Sequence, residues 1–263
     1  MKTPTVSIVG PAINVELWQE RYEELKHNNI DFELIFVGHI EPTFLLPDNF
    51  YFLKTTDSVT PAQCAELAIR AAKGKYIMWV CDDCYFRPGM LDKQVEELEK
   101  RKGEKWMVGV GYRGVYTREQ FDREKSNKQR TSEQLTLTSD ADSPLMPIFP
   151  MMLRTDLIEI GSIDVNFYAQ YWDLDLVCRF YQIGGSVYQI PDSKYVTHEL
   201  HTRSDLSGRS GGSSARSYTF HADRKYLDQL WKWEDKKLHL RTTEVESIPS
   251  DYFDGKYTKW NNL

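Results

Sequence analysis

The sequence predicts an α/β fold, a mostly parallel sheet covered by helices on both faces, and three observations predict it. Short, continuously apolar runs at 6–9, 32–37, 51–53, 76–80 and 106–110 read as strands buried on both sides. Stretches between them carry apolar residues at helical spacing, so strand and helix alternate. Composition fits a globular chain: 41% of the 263 residues are hydrophobic and 27% are charged, which excludes disordered, collagen-like and coiled-coil architectures.

Each element follows from its residues. Val6, Ser7, Ile8 and Val9 form a strand stopped by Gly10 and Pro11. Val15, Trp18, Tyr22 and Leu25 mark one face of a helix that Asn28 and Asn29 end before the strand at 32–37. After 51–53, Thr60 caps a helix beginning at Pro61, Gln63 stands where it completes a capping box, and Gly74 closes the element. The strand at 76–80 follows. Leu91, Val95 and Leu98 share one face of a helix that opens near Pro88 and ends before Gly103, and 106–110 is the next strand.

Residues 112–145 interrupt the alternation with a polar insertion, in which Arg113, Arg118, Arg123, Lys125, Lys128 and Arg130 face only Glu119, Asp122 and Glu124. A substrate-side insertion and a solvated surface loop or helix both fit that charge run. The strand and helix pattern resumes over 148–190. Residues 204–217, rich in Gly, Ser and Arg, predict a mobile loop, and Tyr226, Leu230 and Trp233 predict a closing helix.

Charge and cysteine content narrow the function classes. Lys and Arg number 33 against 39 for Asp and Glu, and the net charge of −6 argues against sequence-independent polyanion binding. No window reaches the roughly 20 apolar residues of a spanning helix, and the first nine residues lack a signal-peptide pattern. Four cysteines are too few for a disulfide scaffold. A cytoplasmic location is the expectation.

Ligands collect at the carboxyl ends of parallel strands, so chemistry is expected just past each strand. The run Cys81, Asp82, Asp83, Cys84 puts two adjacent carboxylates at such an end. Alternate residues of an extended chain point oppositely, so only one of the two aims at any given site. A hard divalent cation that also takes diphosphate oxygens suits the place, and so does a turn or N-cap use of either aspartate. Cys81 and Cys84 have C-x-x-C spacing but follow a strand, and Cys64 and Cys178 supply no second pair, so small buried residues are expected rather than a redox or zinc site.

Asp173 and Asp175 stand at the start of a predicted helix. Asp175 can pair with Arg179 one turn on. Asp173 is left near the helix N-terminus, where an ionised carboxylate is favoured, either as a general base or as a cap. His198 and His201, at the end of the next short strand, are metal or phosphate candidates, with satisfied structural histidines as the alternative.

The order and spacing of several short motifs add a further inference. They are Val6-Ser7-Ile8-Val9, Phe32-Glu33-Leu34-Ile35, Ala72-Lys73-Gly74-Lys75-Tyr76-Ile77 leading into Asp82-Asp83, Gly161-Ser162-Ile163-Asp164 with Phe167, and Asp173-Leu174-Asp175-Leu176 with Arg179 and Gly184. Taken together, over about residues 4 to 200, the chain resembles family 2 glycosyltransferases of the GT-A fold.

The resemblance implies a Rossmann-like sheet and a hexosyl- or pentosyltransferase that moves sugar from a nucleotide diphosphate sugar, a UDP-sugar first, to an acceptor hydroxyl. Residues 1–111 become the donor-binding half, 112–145 an insertion, 146–203 the acceptor and catalytic half, and 204–263 a mobile loop and helical tail of one domain. By the same resemblance Asp83 holds Mn²⁺ or Mg²⁺ with His198, His201 standing in reserve. Pro11, Asp82, Asp83, Arg209 and Arg216 contact the donor, the two arginines from a loop that closes over it. Asp173 is the catalytic base, and Trp172 and Asp175 meet the acceptor.

The chain departs from the family pattern where Cys81 replaces the first residue of Asp-x-Asp, where Trp172 precedes Asp173 in place of Glu, and where Gly38-His39 follows Val37 without the acidic residue that often reads the nucleobase. The reaction implied is a single in-line displacement with inversion. A glycan ranks above a hydroxymethylated DNA base as acceptor. Two alternatives share the fold: a non-catalytic carbohydrate-binding or scaffold protein, and a sugar nucleotidyltransferase. The latter favours a Gly-rich phosphate loop with Arg or Lys, which Gly10-Pro11-Ala12-Ile13-Asn14 does not provide.

Overall fold

The computed structural model describes residues 3–115, 119, 123, 135–137, 143–195, 197–200, 213–231, 241, 245, 249, 251–255 and 257–259, with backbone alone at 113–115, 193, 197–200, 213–219 and 259. Along this chain run β1 (Val6–Pro11), α1 (Val15–Leu25), β2 (Phe32–Gly38), β3 (Phe50–Thr55), α2 (Pro61–Ala71), β4 (Tyr76–Trp79), α3 (Met90–Lys100), β5 (Trp106–Val110), β6 (Tyr112–Val115) and β7 (Ile148–Leu153). They are followed by α4 (Arg154–Glu159), α5 (Trp172–Gln182), β8 (Ser186–Gln189), β9 (Thr197–Leu200), α6 (Ser213–Leu230) and β10 (Tyr257–Lys259).

Eight of the described strands form one sheet in the order β10-β3-β2-β1-β4-β7-β5-β8. β3, β2, β1 and β4 are mutually parallel, and β5 and β8 are parallel to each other. β7 lies antiparallel between β4 and β5, which sets β5 and β8 in the direction of β1, while β10 is antiparallel to β3. The mostly parallel α/β architecture expected from the sequence is therefore present. β7 is reached through the insertion that follows β6.

Alternation along the strands divides the core into two layers. Ile8, Leu34, Phe36 and Met78 turn to one face and pack with Trp18 and Leu25 of α1 and Leu91 and Val95 of α3. Their neighbours Val9, Ile35, Ile77 and Trp79 turn to the other, with Ala65 of α2, Leu176 of α5 and Leu227 of α6. The predicted start of α2 is formed as a capping box: the Gln63 backbone N–H donates to Thr60 Oγ1 at 3.2 Å and the Thr60 N–H to Gln63 Oε1 at 3.2 Å.

Two expectations change. Residues 112–115 form a strand, β6, which pairs in parallel with β9 in a small second sheet, so the insertion begins in regular structure. The expected mobile loop at 204–217 lies outside the described residues up to 212, and from Ser213 the backbone is already helical. No Gly or Pro stands between Gly212 and Pro249, so nothing local delays that helix. The cysteines serve packing: Cys64, Cys84 and Cys178 are buried, and burial pushes the Cys64 thiol up to about 12 and raises that of Cys178, to which the Asp175 charge adds. Among the described residues no helix is long and apolar enough to cross a membrane.

Candidate active site

The two carboxylates past β4 have separate fates, and the first belongs to the fold. Asp82, 2% exposed, accepts four hydrogen bonds from the segment that links β1 to α1 and from α1 itself. Its Oδ2 takes the backbone N–H of Ile13 at 2.7 Å and of Asn14 at 2.6 Å and the Trp18 indole N–H at 2.8 Å, while Oδ1 takes Asn14 Nδ2 at 2.7 Å. Asp82 was expected to contact the donor. It is instead a positioning residue, since its lone pairs are engaged by donors that fix the loop after β1.

That loop is threaded between strand ends that only glycine permits. A Cβ on Gly10 would meet the Val80 carbonyl oxygen at 2.2 Å, and one on Gly38 would meet the Ala12 carbonyl oxygen at 2.0 Å. Close backbone approach therefore accounts for Gly38 where an acidic nucleobase reader was sought. Pro11, expected at the donor, ends β1 half-buried, and the next backbone N–H, that of Ala12, bonds to the Val37 carbonyl at 2.9 Å.

The opposite side of the turn is gripped by α1. Arg21, 1% exposed, donates through Nη1 to the Cys84 carbonyl at 2.7 Å and through Nη2 to Glu24 Oε1 at 2.9 Å. Glu24 Oε2 accepts the Phe86 N–H at 3.1 Å. A buried arginine and glutamate thus hold the chain just past the acidic turn, and Asp83, immediately before it, is fully buried. These two were missed from sequence. Their signal was the spacing Trp18, Arg21, Leu25, which puts a charge on the apolar stripe of α1, where only a paired one persists.

Asp173 stands in the first turn of α5, with its Oδ1 accepting the Leu174 N–H at 2.9 Å. The residue before the helix, Tyr171, has φ of +62°, a left-handed conformation that costs a non-glycine residue about 1–3 kcal/mol and persists only where the surroundings impose it. Trp172 is 9% exposed and its ring lies 6.4 Å from that of Trp79, the last residue of β4. The end of β4 and the start of α5 therefore adjoin.

Trp172 and Asp175, expected at the acceptor, are core residues. Trp172 faces Trp79, and Asp175, fully buried, accepts from Arg179 Nε at 2.8 Å and from the Trp231 indole N–H at 2.9 Å, with Arg241 Nε 3.6 Å away. Arg179 also donates to the carbonyls of Ile160 and of Ser162, the latter at 2.6 Å, so the pair read from the i, i+4 spacing is the hub that fastens α5 to the Gly161–Ser162 turn.

The remaining candidates lie at or beyond the limits of the described residues. The backbone of His198 lies in β9 opposite Arg113 of β6, and its side chain is outside the described residues, as are His201, Arg209 and the side chain of Arg216. Among the described residues no three His, Cys, Asp or Glu side chains cluster as a metal-holding group. In Asp83 the strand end does offer a hard carboxylate of the kind Mg²⁺ or Mn²⁺ uses when phosphate oxygens complete the coordination.

No family model matches the chain, and no curated protein matches it. Solved structures do. Staphylococcus aureus TarS 1–349 aligns with a TM-score of 0.55 at 13% identity, over 85% of this chain and 71% of that one. The same protein in complex with UDP gives 0.54 at 14% identity, over 86% and 71%. In complex with UDP-GlcNAc it gives 0.53 at 15%, over 85% and 72%. At such identity it is the fold that is shared, and the chain has the GT-A fold of the family 2 glycosyltransferase TarS.

Proposed function

We propose that the chain is a metal-assisted, inverting glycosyltransferase that moves a sugar from a nucleotide diphosphate sugar, a UDP-sugar first, to an acceptor hydroxyl. The observation that carries it is the Trp79–Trp172 contact, in which the last residue of β4, four positions before Asp83, meets the residue that precedes Asp173. The TarS structures with UDP and UDP-GlcNAc support the choice of donor.

In the proposed reaction Asp173 takes the proton of the acceptor hydroxyl as that oxygen attacks the anomeric carbon. The bond from that carbon to the diphosphate oxygen breaks, the electron pair stays with the diphosphate, and the proton ends on the Asp173 carboxylate. One displacement inverts the anomeric centre. Asp83 and His198 are the residues that would hold Mn²⁺ or Mg²⁺, which when bound neutralises charge gathering on the diphosphate. Arg209 and Arg216 belong to the proposal as added positive charge at the donor.

With Trp172 and Asp175 in the core, the acceptor is given to exposed aromatic side chains around the segment that leads into Asp173. Tyr168 and Phe220 are 49% and 43% exposed, and the Phe220 ring lies 5.2 Å from that of Tyr171. Open ring faces suit the C–H face of a sugar, and the net charge of −6 favours a glycan over duplex DNA as acceptor. A cytoplasmic location is retained as part of the proposal.

Calorimetric titration of UDP with and without Mn²⁺ tests the donor side. UDP should bind the native chain at least about tenfold more tightly with Mn²⁺, and Asp83→Ala should abolish that difference. Equal binding with and without the ion in the native chain removes Asp83 as a ligand. No UDP binding in either condition sinks the transferase proposal and favours a non-catalytic protein.

A further inference from the structure

One face of α6 is laid along the segment that leads into Asp173. Residues at intervals of three meet it in reverse order: the Tyr226 ring packs edge-on to Phe167 at 4.9 Å, Asp223 lies against 168–170, and the Phe220 ring lies 5.2 Å from Tyr171. The central contact is the strongest. Asp223 is 3% exposed, and its carboxylate accepts three consecutive backbone N–H groups, Tyr168 on Oδ1 and Ala169 and Gln170 on Oδ2, each at 2.8 Å.

The held segment passes its geometry to the helix start. The Gln170 carbonyl accepts the Trp172 N–H at 2.8 Å, and the carbonyl of left-handed Tyr171 accepts the Asp175 N–H at 2.9 Å. A strained residue two positions before Asp173 requires its flanks to be fixed, and α5 fixes only one of them. Asp223 fixes the other from a helix more than fifty positions away in sequence. The same helix is tied down by the Tyr226 hydroxyl, which donates to Asp164 Oδ2 at 3.0 Å and whose own ionisation burial and Asp164 push up to about 12.

We propose that Asp223 is a positioning residue for the reaction: by clamping the backbone of 168–170 it holds Tyr171 left-handed and aims the Asp173 carboxylate at the acceptor oxygen. The proposal rests on Asp173 being the base. It implies that α6 belongs to the acceptor side of the catalytic centre and is more than a tail closing the core.

The test uses the full chain with Asp223→Asn, which keeps volume and one acceptor oxygen but turns an amide N–H₂ toward backbone donors. Exposed Asp228→Asn, on the same helix, is the control. UDP release from UDP-GlcNAc should fall about tenfold or more in kcat per folded molecule in Asp223→Asn, with KM for UDP-GlcNAc unchanged within about twofold. In ¹³C-carboxyl NMR spectra, the Asp173 resonance, identified by its loss in Asp173→Asn, should titrate at a shifted pH in Asp223→Asn and at its native pH in Asp228→Asn.

Turnover per folded molecule and an Asp173 titration both indistinguishable from native overturn the proposal, even if the melting temperature falls, because a merely structural clamp would lower stability alone. If Asp223→Asn does not fold, Asp223→Ser, which leaves room for water at the three N–H groups, is read by the same two criteria. Native turnover in Asp173→Asn defeats the base assignment instead. If the native chain releases no UDP, the carboxyl titration alone decides the clamp.

Discussion

Asparagine in place of Asp173 is expected to lower sugar transfer by about 10²- to 10⁴-fold, the worth of a positioned general base, while UDP affinity changes by less than about twofold. The substitution preserves shape, and its amide oxygen still accepts the Leu174 N–H that Asp173 Oδ1 accepts at 2.9 Å, so α5 starts as before. What is lost is the ability to take the acceptor proton. UDP release from a nucleotide sugar and transfer to an acceptor should fall together. Turnover retained within about tenfold would remove Asp173 from the mechanism and leave it a helix-start residue.

The second large effect is on stability. Asp82→Ala should cost about 3–5 kcal/mol, because it strands four donors, three of them buried, around a charge-assisted hub. Those donors are the N–H groups of Ile13 and Asn14, the Trp18 indole N–H and Asn14 Nδ2, all within 2.6–2.8 Å of the carboxylate. Asp82→Asn should cost less, about 1–2 kcal/mol: its oxygen can serve the three donors on Oδ2, and the Asn14 amide can turn its own oxygen to the new N–H₂. Urea unfolding measures both. A loss below about 1 kcal/mol for the alanine variant would show that the loop after β1 does not depend on this carboxylate.

Much of the scaffold was legible because local signals agreed with the global fold. The apolar runs that became β1, β2, β4 and β5 lie buried on both faces, so their strands had to be continuous in hydrophobicity. The capping box at Thr60 and Gln63 was readable as chemistry within four residues. The reversal of β7 was not, since strand direction depends on how the chain returns and not on the strand's own residues.

The site divides the same way. Two adjacent aspartates look alike in sequence, and the partners that claim Asp82 lie 64 to 69 positions earlier, in Ile13, Asn14 and Trp18. Trp172 and Asp175 were placed at the acceptor by the family resemblance, but helix geometry turns them inward, toward Trp79 and toward Arg179 and Trp231. Asp223 was invisible because an aspartate in a polar helix reads as a solvated residue; its value lies in three backbone N–H groups of a distant loop. Arg21 announced itself only as a charge out of place on an apolar stripe.

A crystal structure of the chain with UDP-GlcNAc and Mn²⁺ asks the central question in one measurement. The diphosphate should lie at the end of β4 against Asp83, with the anomeric carbon turned toward the Asp173 carboxylate. A nucleotide bound elsewhere on the sheet, or one seated at Asp83 with Asp173 facing away from the sugar, would contradict the account.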